Sequence, residues 1–438
     1  MRKGFIAVGV ILLMVGLASS LQAGGIINKQ NLSADYIRTL NRNAATDMAD
    51  AAVFNPAGTA MMENGLYLKA DAIYLNKDYT NQLPNAIGPL NLGGGTLDSE
   101  EPSIIPGLFA VYKQDRWSAF FTVTVPGGGG KVNYNDGDAR TTMLSLPGAF
   151  GGLGTYLGGA AGNPNNINQR IEADAHYIGY SLGTAFKVFD SLSLGGGVRY
   201  VDAYQEFKGH AQGTTGPANT VDVKIERTDE AFNYFLGLDW APIKDLNIGL
   251  TYMSNTPLNF KADTKDTSPG QAVSRSVGWV DGTHEREDLP GYIGVGVSYF
   301  LIPGTLRIEP NLTYYLEKGA TFQGNRFQNS GPGNSYDIGV ALEYILNPQW
   351  RFSVGYMHTE IKGMNSQDLL PEAPELDANT VGLGLVWSPV ERLSLTLSGL
   401  KVWYESQKTD TNSSRAPAGT EYDKDVWGVA IGLQYHFF

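Results

Sequence analysis

From residue 65 to the end of the chain, large apolar residues alternate with small or polar ones. In the segment VGLGLVW, residues 381–387, Val381, Leu383 and Leu385 fall on one face of a strand, with glycine between them. Successive side chains of a strand point to opposite faces, so this period of two predicts β-strands with one apolar face. That face is buried in the core of a soluble sandwich, but it contacts lipid in a transmembrane barrel. The alternation alone is compatible with both architectures.

The lengths of the connections separate these two architectures. The pattern predicts fourteen strands, and short turns alternate strictly with long links between them. Bacterial outer-membrane barrels have an even number of strands, with short turns on the periplasmic side and long loops outside. We therefore predict an all-β fold, a 14-stranded antiparallel transmembrane β-barrel, over residues 65–438. The predicted strands are residues 65–76, 104–112, 116–125, 171–187, 192–207, 222–240, 246–260, 288–300, 305–317, 335–345, 350–361, 379–387, 393–408 and 423–438.

The last predicted strand supports this fold. In DVWGVAIGLQYHFF, residues 425–438, the apolar and aromatic residues from Trp427 to Phe437 share one face, and small or polar residues share the other. This ending resembles the assembly signal of outer-membrane barrels, although Phe438 extends one residue beyond it. The resemblance implies that the barrel-assembly machinery handles the chain during biogenesis.

The N-terminus has the pattern of a secretory signal peptide. Arg2 and Lys3 precede the apolar run FIAVGVILLMVGL, and a segment of small residues ends at Ala23. The apolar run is shorter than the ~20 residues of a spanning helix, which disfavours the alternative of a membrane anchor. We expect residues 1–23 to be a removed signal peptide, and we expect the protein in the outer membrane of a Gram-negative bacterium.

Composition narrows the classes of function. The formal net charge of −12 argues against a nucleic-acid partner, because phosphate binding needs clustered cations. The chain has no cysteine, which excludes disulfides, thiolate metal sites and a catalytic thiol. Its five histidines are scattered, without metal-ligand spacing or a motif for nucleophilic catalysis. We therefore predict no metal, no cofactor and no enzymatic activity.

Residues 24–64 depart from the strand pattern and predict short helices. Ser33 is a candidate N-cap for the first, and Thr46 or Asp47 for an alanine-rich second one. Side chains alone cannot close the lumen of a 14-stranded barrel. We therefore expect this segment to fold back inside the barrel, because it has too many apolar residues for the alternative of a disordered periplasmic tail.

The second helical run ends in the four residues Asn55, Pro56, Ala57 and Gly58. Proline disfavours helix at the residue before it, and the four residues fit a type I turn. The block RNAATDMADAAVFNPAGTAMM, together with LTYMSNTPLNFKAD and LPGYIGVGVSY further along the chain, resembles the FadL family of transporters for long-chain fatty acids and hydrocarbons. In that family the Asn-Pro-Ala triplet belongs to an N-terminal hatch, so the resemblance implies a hatch over residues 24–64.

The resemblance also implies a mechanism of passive uptake. A hydrophobic small molecule, such as a fatty acid, an alkane or an aromatic compound, is captured by extracellular loops and binds in the lumen. The hatch then shifts, and the molecule leaves sideways near strand 3 into the outer leaflet. The other implied partners are outer-membrane lipid and lipopolysaccharide, and the protein acts as a monomer. The alternative is a general diffusion porin for small polar solutes, although the predicted lumen faces carry few of the charges that a porin shows.

Strand 3 carries the residues that correspond to the lateral exit. Pro126 cannot donate to a β-ladder, and it is followed by Gly127, Gly128, Gly129 and Gly130, which offer little packing and a flexible backbone. An interrupted ladder at this point would leave a gap in the wall. The alternative is an ordinary flexible start of the following loop.

Two further sets of residues are candidates for ligand contact. The second long loop is apolar, and its residues either form a capture surface or pack over the barrel mouth. They include Leu146, Phe150, Leu153 and Tyr156. The second set, Arg199, Lys208 and Lys261, would bind a ligand carboxylate, because alternation places Arg199 in the lumen and the two lysines stand near the tops of strands. Each of these cations could instead pair with the hatch aspartates, Asp47 and Asp50.

Overall fold

The computed structural model of the protein describes residues 30–87, 90–91, 94–145, 167–213, 220–264, 279–322, 333–362, 365–413 and 415–438. Fourteen antiparallel strands form one closed barrel, which confirms the predicted fold. The strands are β1 Gly65–Gln82, β2 Thr96–Gln114, β3 Trp117–Tyr134, β4 Ile167–Phe189, β5 Leu192–Gly213, β6 Thr220–Ile243, β7 Leu246–Met253 with Asn259–Thr264, β8 His284–Arg286 with Tyr292–Ile302, β9 Leu306–Tyr315, β10 Tyr336–Asn347, β11 Trp350–Glu360, β12 Ala378–Val390, β13 Leu393–Tyr404 and β14 Glu421–His436. Two short pairings accompany them, Ala86–Ile87 with Leu90–Asn91, and Gln407–Lys408 with the start of β14.

The barrel closes because β1 pairs with the second strand and with the last. Its ladder with β2 runs from Gly65 opposite Lys113 to Gln82 opposite Thr96. Its ladder with β14 runs from Tyr67 opposite His436 to Gln82 opposite Glu421. The remaining strands pair in chain order, so each short turn joins two neighbours in the wall.

The apolar faces of the strands point out of the barrel. Leu182, Val198, Phe232 and Leu383 are 62, 52, 67 and 57% exposed. A soluble sandwich would bury these residues, whereas a transmembrane barrel presents them to lipid. Exposure therefore resolves the ambiguity that the alternation leaves open.

The lumen is filled by the described part of the hatch, residues 30–64. The hatch contains helix α1 Ala34–Thr39, helix α2 Ala51–Phe54 and the 3₁₀ turn Pro56–Ala60, all of whose residues are buried. The remaining described helical elements are α3 Ala139–Ser145 and the 3₁₀ turns Glu317–Gly319 and Ser366–Asp368. Within the described ranges, no helix has the length and apolarity needed to cross a membrane.

The two predicted helix caps differ in outcome. Ser33 caps α1 as predicted, and its hydroxyl accepts a hydrogen bond of 3.0 Å from the Tyr36 amide. Helix α2 begins only after Asp50, so the predicted cap at Thr46 or Asp47 is wrong. The Asp47 carboxylate accepts from arginine side chains instead, which removes it from the helix terminus.

Strands β7 and β8 are each interrupted at the same height of the wall. The two segments that interrupt them meet in an isolated β-bridge between Thr256 and Leu289. Pro257 and Pro290 stand in these segments, and proline cannot donate to a ladder. The sequence pattern predicted continuous strands here, so the interruptions are a correction. Because Leu289 is fully buried and packs on Tyr177 of β4, the bent segments enter the lumen.

Candidate functional site

Buried charges hold helix α1 of the hatch to the barrel wall. Arg38 donates to Asp35 Oδ1 at 2.8 Å, to Ser353 Oγ at 2.7 Å and to the carboxylate of Glu343 in β10. Asp35 also lies 3.2 Å from Lys69 Nζ of β1. Breaking a buried ion pair leaves an uncompensated charge, which costs about 3–5 kcal/mol. These pairs therefore fix both the position and the orientation of the helix.

A second group of charges holds the segment between α1 and α2. Arg42 donates to Asp47 Oδ1 at 2.9 Å and to Asp50 Oδ1 at 2.8 Å, and Arg351 of β11 donates to Asp47 Oδ2 at 2.7 Å. Burial acts to raise the pKa of Asp47, but Arg42, Arg351 and further arginines outweigh it and hold this pKa well below its usual value. Asp47 and Asp50 are therefore both neutralised by this group.

The motif Asn55–Gly58 ends α2 and attaches the hatch to the other side of the wall. Asn55 is extended, with φ −146° and ψ 99°, and the Gly58 amide donates to its carbonyl at 3.0 Å. This confirms the predicted helix stop and turn. The Asn55 side chain donates to Asn43 O at 2.8 Å and to Leu238 O of β6 at 3.0 Å, and it accepts from the Ala57 amide at 3.2 Å. One side chain thus joins the hatch to itself and to the barrel.

Glycines on the inner face of the wall allow the motif to approach so closely. A Cβ atom at Gly237 would lie 2.3 Å from Asn55 Oδ1, and one at Gly249 would lie 1.8 Å from Asn43 O. Neither distance is compatible with a side chain unless the backbone moves. The small residues of these lumen faces therefore form the docking surface of the hatch.

Strand β3 leaves its neighbour β2 part of the way up the wall. The ladder between them ends at Leu108 opposite Val123, although β2 stays paired with β1 as far as Thr96. Beyond this point the backbone ladder of β3 is with β4 alone, through two bulges between Thr124 and Gly130. Near its end, the Asn133 amide of β3 donates to Ser99 Oγ of β2 at 2.7 Å. Its residues 125–130 are all buried, whereas its earlier residues alternate between buried and more exposed. The displaced segment therefore lies inside the line of the wall, and a stretch of wall between β2 and β3 is unpaired.

The residues predicted for the lateral exit lie in this displaced segment. Gly128 and Gly130 have φ of +81° and +71°, which residues with a side chain rarely adopt. A Cβ atom at Gly127 would lie 2.7 Å from the Tyr177 ring. The predicted interruption at Pro126 occurs on the β2 side, whereas the ladder with β4 continues through the bulges.

A cavity of about 100 Å³ lies on the lumen side of the displaced segment. Gly128, Gly129 and Gly130 form one wall of it, and strands β4–β6 and the loop after β11 form the others. Apolar and aromatic side chains dominate the lining, namely Val132, Ala173, Tyr177, Phe207, Ile225, Trp279, Leu370 and Ala373. Strand β3 thus separates an apolar cavity from an unpaired stretch of wall.

Arg227 lines this cavity, and the sequence pattern did not single it out. Its Nη1 donates to Glu287 Oε1 at 2.9 Å and to Gln205 Oε1 at 2.8 Å. Its guanidinium lies 5.2 Å from the ring centre of Phe260 and 5.1 Å from that of Trp279. The arginine is therefore neutralised by its neighbours and held between aromatic rings.

Arg199 lies in the lumen beside the displaced segment, on the hatch side of the cavity. It is 5% exposed, and it donates to Asn233 Oδ1 at 3.1 Å and to Thr256 Oγ1 at 3.4 Å. A Cβ atom at Gly179 would lie 3.1 Å from both Arg199 Cδ and Pro126 Cγ. Within the described part of the chain, Arg199 pairs with no carboxylate, in contrast to the buried arginines of the hatch network.

Lys208 and Lys261 do not face the lumen, which contradicts their predicted role as ligand contacts. Lys208 lies an odd number of residues beyond Arg199 in an uninterrupted ladder, so it points outward, where it pairs with Glu206. Lys261 is exposed next to the fully buried Phe260. The interruption of β7 shifts the alternation by one position, because a slip of one residue exchanges the faces of a strand.

Most of the predicted capture loop lies outside the described residues. This applies to Leu146, Phe150, Leu153 and Tyr156, whose role stays a prediction. The described start of the loop forms α3, where Leu144 is buried against residues of β4–β6. Arg140 of α3 is 2.9 Å from the Glu372 carboxylate in the loop after β11, so these two segments meet over the cavity.

Comparison with known proteins agrees with this architecture. The family model described as outer membrane protein transport protein (OMPP1/FadL/TodX) matches residues 164–309. Over these residues the chain is similar to this family. The crystal structure of a Pseudomonas aeruginosa FadL homologue superposes with a TM-score of 0.68 at 15% sequence identity, covering 95% of this chain and 100% of that one. No curated protein matches the chain in sequence.

Two further structures of similar fold are those of toluene transporters. TodX of P. putida has a TM-score of 0.60 at 11% identity and covers 90% of this chain and 96% of its own. TbuX of Ralstonia pickettii has a TM-score of 0.56 at 13% identity, with 89% and 94% covered. At these identities the superpositions show a shared fold. The family match and the barrel fold indicate a location in the outer membrane.

Proposed function

We propose that the protein takes up hydrophobic small molecules passively across the outer membrane. The molecule would bind in the apolar cavity and leave through the unpaired stretch of wall between β2 and β3. The single observation that carries this proposal is the double role of the displaced β3 segment, whose Gly128–Gly130 line the cavity while the same segment borders the gap. An apolar pocket next to a lipid-facing gap gives a hydrophobic molecule a path that avoids water.

The position of Arg199 favours ligands that carry a carboxylate. A buried cation without an anionic partner is unfavourable, and a carboxylate that reaches it forms charge-assisted hydrogen bonds. Arg199 lies next to Pro126, so an acyl chain in the cavity could direct its head group toward the arginine. Among fatty acids, alkanes and aromatic compounds, we therefore propose long-chain fatty acids as the ligands.

The hatch would move only locally during this transport. Its two attachments, the α1 ion pairs and the Asn55 hydrogen bonds, hold opposite sides of the segment to the wall. A lateral exit above the hatch does not need the whole segment to leave the lumen. The alternative, a general diffusion porin, is disfavoured because the residues of α1, α2 and the following 3₁₀ turn are all buried inside the barrel.

The experiment compares two ligands of equal chain length in cells that lack their own transporter. Arg199→Met removes the charge while keeping much of the side-chain volume. We expect it to lower uptake of a long-chain fatty acid about tenfold or more, as the loss of a charged hydrogen bond predicts, and to leave uptake of the matched n-alkane unchanged.

Lys208→Met is the matched control, because it removes a cation from the outward face of the same strand. It should transport both compounds like the unmodified protein. An equal loss of fatty-acid uptake and alkane uptake in Arg199→Met would reject the carboxylate contact. Uptake of neither compound by the unmodified protein would reject the proposed function, and a large stable conductance would favour the porin.

A further inference from the structure

We infer that Lys77 is a positioning residue, which keeps the wall gap open by holding β3 in its displaced course. Its Nζ donates to Gly129 O at 2.6 Å and to Lys131 O at 3.1 Å. The lysine belongs to β1, whereas both carbonyls belong to β3, and β2 lies between these strands in the wall. The side chain therefore reaches past β2 on the lumen side to the displaced segment.

The burial of Lys77 shows that its contacts are specific. Lysine is almost never fully buried without a partner, and Lys77 is only 4% exposed. Within the described residues its ammonium is hydrogen-bonded to the two backbone carbonyls of β3 and pairs with no carboxylate. A buried charge with such partners holds them firmly, because releasing them would leave it uncompensated.

The sequence of β2 explains why β3 needs another donor. Pro102 and Pro106 lie in β2 while its ladder with β1 continues past both of them. Since proline has no N–H, its nitrogen has to lie on the side away from that ladder, which is the side of β3. Continuing the register of Leu108 opposite Val123 would place Pro102 opposite Gly129. The Gly129 carbonyl would then find no donor in β2, and Lys77 supplies one.

The same register shows which part of the gap Lys77 controls. It would place Glu100 opposite Lys131, and Glu100 has an N–H that could bond to the Lys131 carbonyl. In the structure this carbonyl accepts from Lys77 instead. Without the lysine, the two strands are free to pair at this position and to narrow the gap. Only the effect of Lys77 on transport rests on the proposed function. The position of β3 relative to β2 can be measured without a ligand.

Disulfide formation between β2 and β3 reports on the gap directly. The chain has no cysteine, so the pair Glu100→Cys/Lys131→Cys is the only one present. Both positions lie toward the outer face, and they become neighbours when the strands pair. We expect Lys77→Met to accelerate oxidative cross-linking of this pair about tenfold or more, because two charge-assisted hydrogen bonds are lost. Lys77→Arg keeps a cation with several donors, so it should restore slow cross-linking.

Lys424→Met is the control for removing a buried lysine. Lys424 is 7% exposed, and its Nζ donates to Pro374 O at 2.8 Å, in the loop after β11. It should leave the cross-linking rate unchanged. Equal rates in Lys77→Met and the unmodified background, or a similar increase in Lys424→Met, would overturn the inference. Faster cross-linking with undiminished fatty-acid uptake would support the role of Lys77 and instead refute the lateral exit.

Discussion

Asn55 is the residue on which the position of the hatch motif depends most. Its side chain makes three hydrogen bonds, to backbone groups of the hatch and of β6. A hydrophobic residue could stop a helix before Pro56 equally well, so local turn chemistry does not require this amide. The contacts to Asn43 and Leu238 require it, and they give the motif a role beyond that of a turn.

Replacing Asn55 should loosen the hatch without unfolding the barrel. Asn55→Ala leaves the buried carbonyl of Asn43 without its side-chain donor, and an unsatisfied buried group costs about 1–3 kcal/mol. Hydrogen exchange of the hatch amides should accelerate by about ten- to a hundredfold, since each 1.4 kcal/mol is a factor of ten. Amides of the β1–β14 ladder should keep their protection.

Asn76→Ala is the control, because the one side-chain hydrogen bond of Asn76 to another described residue is a long, exposed one of 3.5 Å to Glu100. It should change neither set of amides. Unchanged exchange of the hatch in Asn55→Ala would reduce the motif to a simple turn.

The three candidate cations show how far a sequence pattern predicts the residues of a binding site. The lumen position of Arg199 could be predicted, because its strand is regular and alternation is preserved. The same alternation already excludes Lys208, which lies on the opposite face. Lys261 could not be excluded in this way, because the interruption of β7 exchanges the two faces. The contacts of Lys77 and Arg227 join strands that are distant in sequence, and no local pattern records them.

Among the elements, the hatch and β3 depart most from regular structure. The hatch has two attachments of different chemistry, ion pairs on the side of β10 and β11 and neutral hydrogen bonds on the side of β6. Charged and neutral contacts respond differently to pH. When the pH changes, the hatch should therefore detach from one side of the wall before it detaches from the other.

Acidification should weaken the ion-paired attachment first. The pKa of Asp47 lies well below its usual value, so its contribution is present above the pKa of the unfolded chain, near 3.9, and is lost as pH falls toward the lowered pKa. Between pH 6 and pH 3, amides near Asp47 should lose protection from hydrogen exchange after correction for intrinsic rates. Amides near Asn55 should change less.

Asp47→Asn tests whether Asp47 causes this pH dependence, because it removes the carboxylate that titrates. In this variant the hatch amides should be less protected from hydrogen exchange at pH 6, and their protection should fall less on acidification. Equal protection at pH 3 and pH 6 in the unmodified protein would contradict a role for these ion pairs.

The elements differ in how well the sequence predicted them. All fourteen strands were predicted, because a transmembrane wall imposes the same alternation on every strand. The displaced course of β3 was predicted in part, from Pro126 and the glycines that follow it. Pro102 and Pro106 in β2 also indicate an interrupted ladder. The sequence does not show whether this ladder is the one with β1 or the one with β3. The interruptions of β7 and β8 could not be located, because Pro257 and Pro290 stand in segments whose apolar pattern continues.

For the whole molecule, the proposed lateral path depends on how the barrel is filled and where its wall is unpaired. The hatch closes the lumen below the cavity, and α3 meets the loop after β11 above it. The gap between β2 and β3 lies beside the cavity. The proposed transport therefore uses the side of the wall and not its lower end.

A removable bridge across the gap tests this claim most directly. The pair Glu100→Cys/Lys131→Cys is joined by a short thiol-reactive linker that contains a cleavable bond. The control pair Thr80→Cys/Asp98→Cys carries the same linker between β1 and β2, where the two residues are already paired. Fatty-acid uptake is then measured before and after the linker is cleaved. If molecules leave through the gap, the bridge across it lowers uptake, cleavage restores uptake, and the control bridge has no effect. Undiminished uptake with the gap bridged would contradict the lateral exit.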